Sequence, residues 1–215
     1  MKFTITRINR QNKLMVSTKT VDSFLERIAK DDAKQSVARF RMSVPLMEGD
    51  YQYYKGIREW QHVYPAAEFS KDESGNLVFQ KSNGLVILHF TNLMTNQEKD
   101  ATKSAASLLP MTFAAIEGAD GRSLIVLVSI CNKEGKIPTK EEEADLLYQS
   151  AYEQVKTLYQ AQVHATIKPE KPSLESNFML TMDASPYYNN KAVAMRIASN
   201  QFAVATAPKS IDDLK

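Results

Sequence analysis

Few of the 215 residues have types and spacings that can do chemistry. His89 stands inside an apolar run, Leu85-Val86-Ile87-Leu88-His89-Phe90. A lone histidine there reads first as an interior group satisfied by a hydrogen bond, and only second as a ligand. His62 and His164 share no ligand spacing with it, so a zinc site has no support. Glu117-Gly118-Ala119-Asp120-Gly121-Arg122-Ser123 sets two acids and one cation around two glycines. Amides from Asp120 to Ser123 can cradle an anion, although a plain hairpin turn is the stronger reading. From Gly49 to Tyr64, Tyr51, Tyr53, Tyr54, Lys55, Arg58, Trp60 and His62 interleave rings with cations. That composition suits stacking on bases and pairing with phosphates. Packing over a sheet explains the same residues and carries more weight. The single cysteine, Cys131, excludes an internal disulfide and fits a reducing compartment. It reads as a small buried residue at a strand end rather than a nucleophile. P-loop, GxGxxG, GxSxG and HExxH patterns are all absent from the sequence.

The elements that must position these residues centre on Gly84 to Ile130. The apolar run at 85–90 predicts a buried strand, and Asn96 to Leu109 a helix carrying Ala101, Ala105, Leu108 and Leu109 at helical spacing before Pro110. Met111–Ile116 and Ser123–Ile130 form a hairpin around the two glycines. Upstream, residues 2–8 and 13–17 read as a hairpin. Thr20 caps a helix with Val21, Phe24, Leu25 and Ile28 inward. A second helix spans about 33–42, with Val37 and Phe40 inward and Lys34, Arg39 and Arg41 toward solvent. Residues 77–80 form a short strand. Downstream, Thr139-Lys140-Glu141-Glu142 reads as a capping box for a long helix whose apolar face holds Leu146, Leu147, Ala151, Val155, Leu158 and Tyr159. His164–Ile167 and Phe178–Met182 read as strands, and Tyr187–Asn190 as a turn.

Residues 84–167 thus give strand-helix-strand-strand-helix-strand, the order of a ferredoxin-like or RNA-recognition-motif-like core. The fold class is α+β: an antiparallel sheet with both helices on one face, and an N-terminal αβ extension. Residues 1–207 form one domain with its core at about 84–168, and 208–215 a flexible tail. Composition is ordinary, 43% hydrophobic and 24% charged, and the net charge of +2 neither requires nor excludes nucleic acid. No signal peptide or membrane-length apolar run is visible, so the expected location is cytoplasmic, without a membrane partner.

Four segments then line up with one family. Lys55–Phe69, Gly84–Leu93, Glu117–Val128 and Met182–Val193 resemble, in order and spacing, the VirE N-terminal domain family. Its members are primase-polymerase-like modules of bacterial mobile-element replication and mobilisation proteins. The resemblance covers about residues 15–200 and implies a core of the archaeo-eukaryotic primase type. It places an Asp-x-Asp metal pair where this chain has His89 and Thr91. Residues two apart on a strand share a face, as paired ligands must, and nucleotidyl transfer needs carboxylates to clamp two cations. Histidine and threonine make a poor magnesium site. Gly121 and Arg122 match the family's hairpin, Ile125 stands where a polar phosphate contact is expected, and Asp183 is retained. Glu117 and Asp120 are possible stand-ins for the lost acids.

The leading expectation is therefore a catalytically degenerate primase-like domain. It would bind single-stranded DNA or RNA, or a helicase or ATPase partner of a mobile element, without metal or other cofactor. Lys55, Arg58, Trp60 and Arg122 are the candidate nucleic-acid contacts. The alternatives are an active magnesium-dependent primase using Asp183 with Glu117 or Asp120, and a pure protein-interaction module, which near-neutral charge favours.

Overall fold

The computed structural model describes residues 1–30, 34–47 and 60–198. Tyr51, Tyr53, Tyr54, Lys55, Arg58 and the 208–215 tail lie outside the described residues. The chain opens with a hairpin of β1 (Lys2–Ile8) and β2 (Leu14–Thr20). The Asn9 carboxamide closes its turn by accepting from the amides of Gln11 and Lys13. Thr20 then caps α1 (Val21–Lys30), its hydroxyl accepting from the Ser23 amide at 3.3 Å. The stripe Val21, Phe24, Leu25 and Ile28 is buried as its spacing requires. α2 (Lys34–Ser43) and a 3-10 turn at Val44–Met47 follow. β3 (His62–Tyr64) pairs with β1, and β4 (Ala67–Lys71) with β5 (Leu77–Ser82) as a separate ribbon.

The second sheet is built on β6 (Leu85–Phe90), β7 (Thr112–Glu117) and β8 (Leu124–Cys131). β8 is central and antiparallel to both neighbours. α3 (Asn96–Ser107) joins β6 to β7, and α4 (Glu141–Val163) follows β8. Three two-residue strands complete the chain. β9 (Phe178–Met179) extends the first sheet to the order β2-β1-β3-β9. β10 (Tyr187–Tyr188) pairs with β7, and β11 (Met195–Arg196) runs parallel to the end of β8. The protein is mixed α+β with mainly antiparallel sheets. Among the described residues no helix is long and apolar enough to cross a membrane.

Both faces of the second sheet are covered, which is why its strands are predominantly apolar. Val86, Leu88, Phe90, Leu124, Val126 and Val128 pack with Ala106 of α3 and Tyr148, Ala151, Tyr152, Val155 and Tyr159 of α4. Leu85, Ile87, Ile125 and Leu127 face the other way, onto Phe3, Ile5, Phe24, Ile28 and Val63. Each buried Val, Leu, Ile or Phe among them contributes roughly 1.5–3 kcal/mol by leaving water. Gly84 enters β6 at φ +64, and an added Cβ would lie 2.8 Å from the Ile130 carbonyl that its backbone must approach.

Several local expectations shift. The segment expected as a strand at 164–167 contributes one bridge, Phe90 to Ile167, because His164 caps α4 in the left-handed region at φ 53. α4 starts at Glu141 with Lys140 at its cap and no side-chain cap bond, so the Thr139 capping box does not form. A capping box forms instead on α3, between Thr95 and Glu98. α3 buries Thr102 and Ala106 rather than Ala101, and Leu108 is 83% exposed just past its end. Leu146, expected on the inner face of α4, is 59% exposed while Leu147 is buried. Tyr187 and Tyr188, expected in a turn, form β10. Arg41, expected to face solvent, is half-buried against β7.

Candidate functional site

Between the two sheets lies a cleft of about 240 Å³. Its apolar floor is Ile125 of β8, Phe40 of α2, and Phe178 and Met179 of β9. His89 and Thr91 at the end of β6, His62 on β3, Ser123 before β8 and Lys168 supply donors around it; Asp120, Glu170 and Asn177 supply acceptors. Strand parity explains the convergence: Ile125 pairs with His89 across β6 and β8, so both side chains lie on the face turned toward the first sheet.

The chain after α4 brings the charges. It runs beside the end of β6, where the Thr91 amide donates to Thr166 and the Lys168 amide to the His89 carbonyl. Glu170 thereby reaches His89, whose Nδ1 meets Glu170 Oε2 at 2.7 Å, while Lys168 Nζ is 3.1 Å from Glu170 Oε1. Burial pushes the Glu170 carboxyl up, but hydrogen bonds and charge from His89 and Lys168 outweigh it and hold the group below the ordinary carboxylate range. His62 is held similarly, Nδ1 to Asn177 Oδ1 at 2.9 Å. The Asn177 amide is itself oriented by donating Nδ2–H to the Glu175 carbonyl at 3.1 Å. An acceptor opposite Nδ1 makes that nitrogen the N–H donor, which leaves Nε2 as the free ring atom in each case.

The remaining acids sit elsewhere. Leu124 and Ile125 alternate on β8, and a second pocket of about 250 Å³ opens on the Leu124 side, beside α3. Asp183, 3% exposed, belongs to this pocket. It accepts from the Glu117 amide at 2.8 Å, the Ser185 amide at 3.0 Å and Lys103 Nζ at 2.8 Å. Glu117 accepts from Lys99 Nζ and, at 3.2 Å, from Arg41 Nη1. Arg41 Nη2 also donates to the carbonyls of Gly118 at 3.0 Å and Met182 at 2.7 Å. Two carboxylates are thus matched by three cations, an arrangement that holds α2, α3 and the 181–185 segment to the end of β7.

Of the residues singled out in the sequence, His89, Thr91 and Asp120 share the cleft, while Glu117 and Asp183 lie on the far side of β8. The 118–123 segment is a closed turn: Asp120 Oδ1 accepts from the Arg122 amide and the Ser123 hydroxyl, so the amide cradle is occupied from within. An added Cβ at Gly118 would meet Ser123 Oγ and displace that hydroxyl from Asp120. Arg122 is half-buried at this turn and its carbonyl accepts from Leu93. Trp60 packs on Phe40 with ring centroids 5.2 Å apart and donates Nε1–H to the Leu180 carbonyl. Lys55 and Arg58 lie outside the described residues. Lys168, Glu170 and Asn177 were not singled out in the sequence, and His62 only as part of the aromatic-basic stretch, because β3 and the stretch after α4 come to β6 only through tertiary contacts. Among the described residues no three His, Cys, Asp or Glu side chains are grouped to hold a metal ion.

The family model described as BT4734-like, N-terminal domain, matches residues 56–188, more than half of the chain. No curated protein and no solved structure matches the chain. The match corrects the resemblance to the VirE N-terminal domain family, since the family found is a different one. The motifs that suggested VirE are the Lys55–Phe69 stretch, a glycine before an apolar strand, a Gly-rich hairpin and a Tyr-Tyr-Asn segment. The last three are built from residues that any sheet with tight turns uses. The chain belongs to the BT4734-like N-terminal domain family.

Proposed function

We propose that this BT4734-like domain binds single-stranded nucleic acid, seats one nucleotide in the cleft between its sheets, and does not polymerise. The observation that carries the reading is the cleft's make-up: an apolar, aromatic-edged floor under a rim of imidazoles, hydroxyls and one ammonium group. Such a floor takes the face of a base, while the polar rim takes its edge and the phosphate. Polymerisation is disfavoured by the donor set. Two-metal transfer needs clustered carboxylates, and the acids facing this cleft are engaged by other groups: Glu170 by His89 and Lys168, Asp120 by Ser123. Glu117 and Asp183 are neutralised by lysines on the opposite side of β8. The order of β6, α3, β7, β8 and α4, with Ile167 returning beside Phe90, supports reading the core as ferredoxin-like.

Fluorescence anisotropy with labelled single-stranded DNA and RNA over a salt series tests this. Lys168→Ala should weaken binding and reduce the log–log salt slope by about 0.7, the value for one phosphate contact on a single strand. His89→Ala should weaken binding as well. No binding at low salt, or binding that neither variant alters, would remove the cleft from the function.

A further inference from the structure

We propose that His62 and His89 are an acid–base pair that cleaves RNA at its own 2′-hydroxyl without a metal ion. The inference rests on the reading that the cleft holds a nucleotide. Four observations carry it. Both rings line one cavity of about 240 Å³. Each ring has Nδ1 tied to a side-chain oxygen, at 2.9 Å for His62 and 2.7 Å for His89. Each of those oxygen-bearing groups is itself fixed, Asn177 by the Glu175 carbonyl and Glu170 by Lys168. Nε2 is therefore the reactive nitrogen on both rings, the tautomer control that acid–base histidines need. Lys168, half-exposed at the rim, is the cation available to the phosphate oxygens.

The two partners differ in charge, and this divides the roles. His89 is hydrogen-bonded to a carboxylate and His62 to a neutral amide. His62 Nε2 takes the proton from the 2′-hydroxyl, and the 2′-oxygen forms a bond to the adjacent phosphorus. The bond from phosphorus to the 5′-oxygen breaks, and that oxygen receives the proton from His89 Nε2. The products are a 2′,3′-cyclic phosphate and a free 5′-hydroxyl. One proton has moved from His89 to His62, and no water or redox partner is consumed. Asp120 and Glu170 are the acids lining the cleft. Asp120 is engaged by Ser123, and Glu170 serves as a positioning residue through His89.

The test incubates the full chain with a labelled single-stranded RNA in excess chelator. A DNA and a 2′-O-methyl RNA of the same sequence run alongside, and products are read by mass spectrometry. Cleavage of the unmodified RNA alone, ending in a cyclic phosphate, is expected. His62→Ala and His89→Ala should each slow it by at least a hundredfold, the low end of the roughly 10²–10⁴ that one acid–base group supplies. Glu170→Gln should lower kcat, leave KM in place and shift one limb of the pH profile. Intact RNA despite retained anisotropy binding would overturn the cleavage while leaving the binding reading standing. Absence of binding would overturn both. Equal cleavage by the double histidine variant would assign the activity to a contaminant and likewise sink the pair.

Discussion

Asp183 offers the sharpest contrast between a catalytic and an architectural acid. Replacing it by alanine leaves the Glu117 and Ser185 amides without their acceptor and strands the Lys103 ammonium, which is 18% exposed. Removing one partner of a buried ion pair costs about 3–5 kcal/mol. Lys103 keeps some access to water and the Ser185 carbonyl at 3.1 Å, so the lower end applies. We expect Asp183→Ala to lose about 3 kcal/mol, which lowers the midpoint of a chain this size by about 6–12 °C. Asn should be no better than Ala. Its Oδ1 can still serve Ser185, but its NH2 would face the Glu117 amide and the ammonium, donor against donor. Urea unfolding supplies the free energies. A cycle with Lys103→Met should show coupling of about 1–2 kcal/mol, within the usual range for contacting residues. A loss under about 1 kcal/mol for Asp183→Ala, or stabilisation by Asn, would refute the architectural reading and mark a strained functional acid instead.

Two further outcomes are expected. Leu147→Ala should cost about 2–4 kcal/mol in urea unfolding and Leu146→Ala under about 0.5, since only Leu147 is buried; similar losses at both would refute the phase of α4. Glu170 has a folded pKa below its ordinary 4.5, so its stabilisation is complete above 4.5 and is lost as pH falls through the depressed value. The stability gap between wild type and Glu170→Gln should therefore narrow only below 4.5; a gap constant down to acid unfolding would show that the ion pair contributes nothing.

The fold was legible wherever local pattern and burial agree. α1 shows its stripe because only one face meets the core, and β6 and β8 are apolar except at His89 and Ser129 because both faces are covered. α3 hid its phase. Its alanines are too alike to mark a face, and its buried positions are Thr102 and Ala106, with the Thr112 hydroxyl donating to the Ala106 carbonyl. The short strands β3, β9, β10 and β11 carry too few residues for any period, and pairing partners far away in the chain define them.

The site was half legible, for a reason that strand geometry supplies. Alternation on one strand is local, so the spacing of His89 and Thr91 is enough to put both on a single face. Which distant side chains oppose that face depends on how the first sheet crosses the second, and no spacing records it. His62 shows the consequence. Judged by sequence separation from His89 it is unrelated, yet β3 is held between β1 and β9 and delivers it to the same cleft. Asp183 shows the converse. Three residues after Leu180, which packs on the cleft-side core, the chain turns at the end of β7 and delivers the carboxylate to the opposite side. The residues that share the cleft with His89 are therefore defined by side of the sheet rather than by distance along the chain. Among the described residues, the groups that criterion assigns to the cleft are imidazoles, hydroxyls, the Lys168 ammonium and the engaged side chains of Asp120, Glu170 and Asn177, while Glu117 and Asp183 serve the framework on the other side.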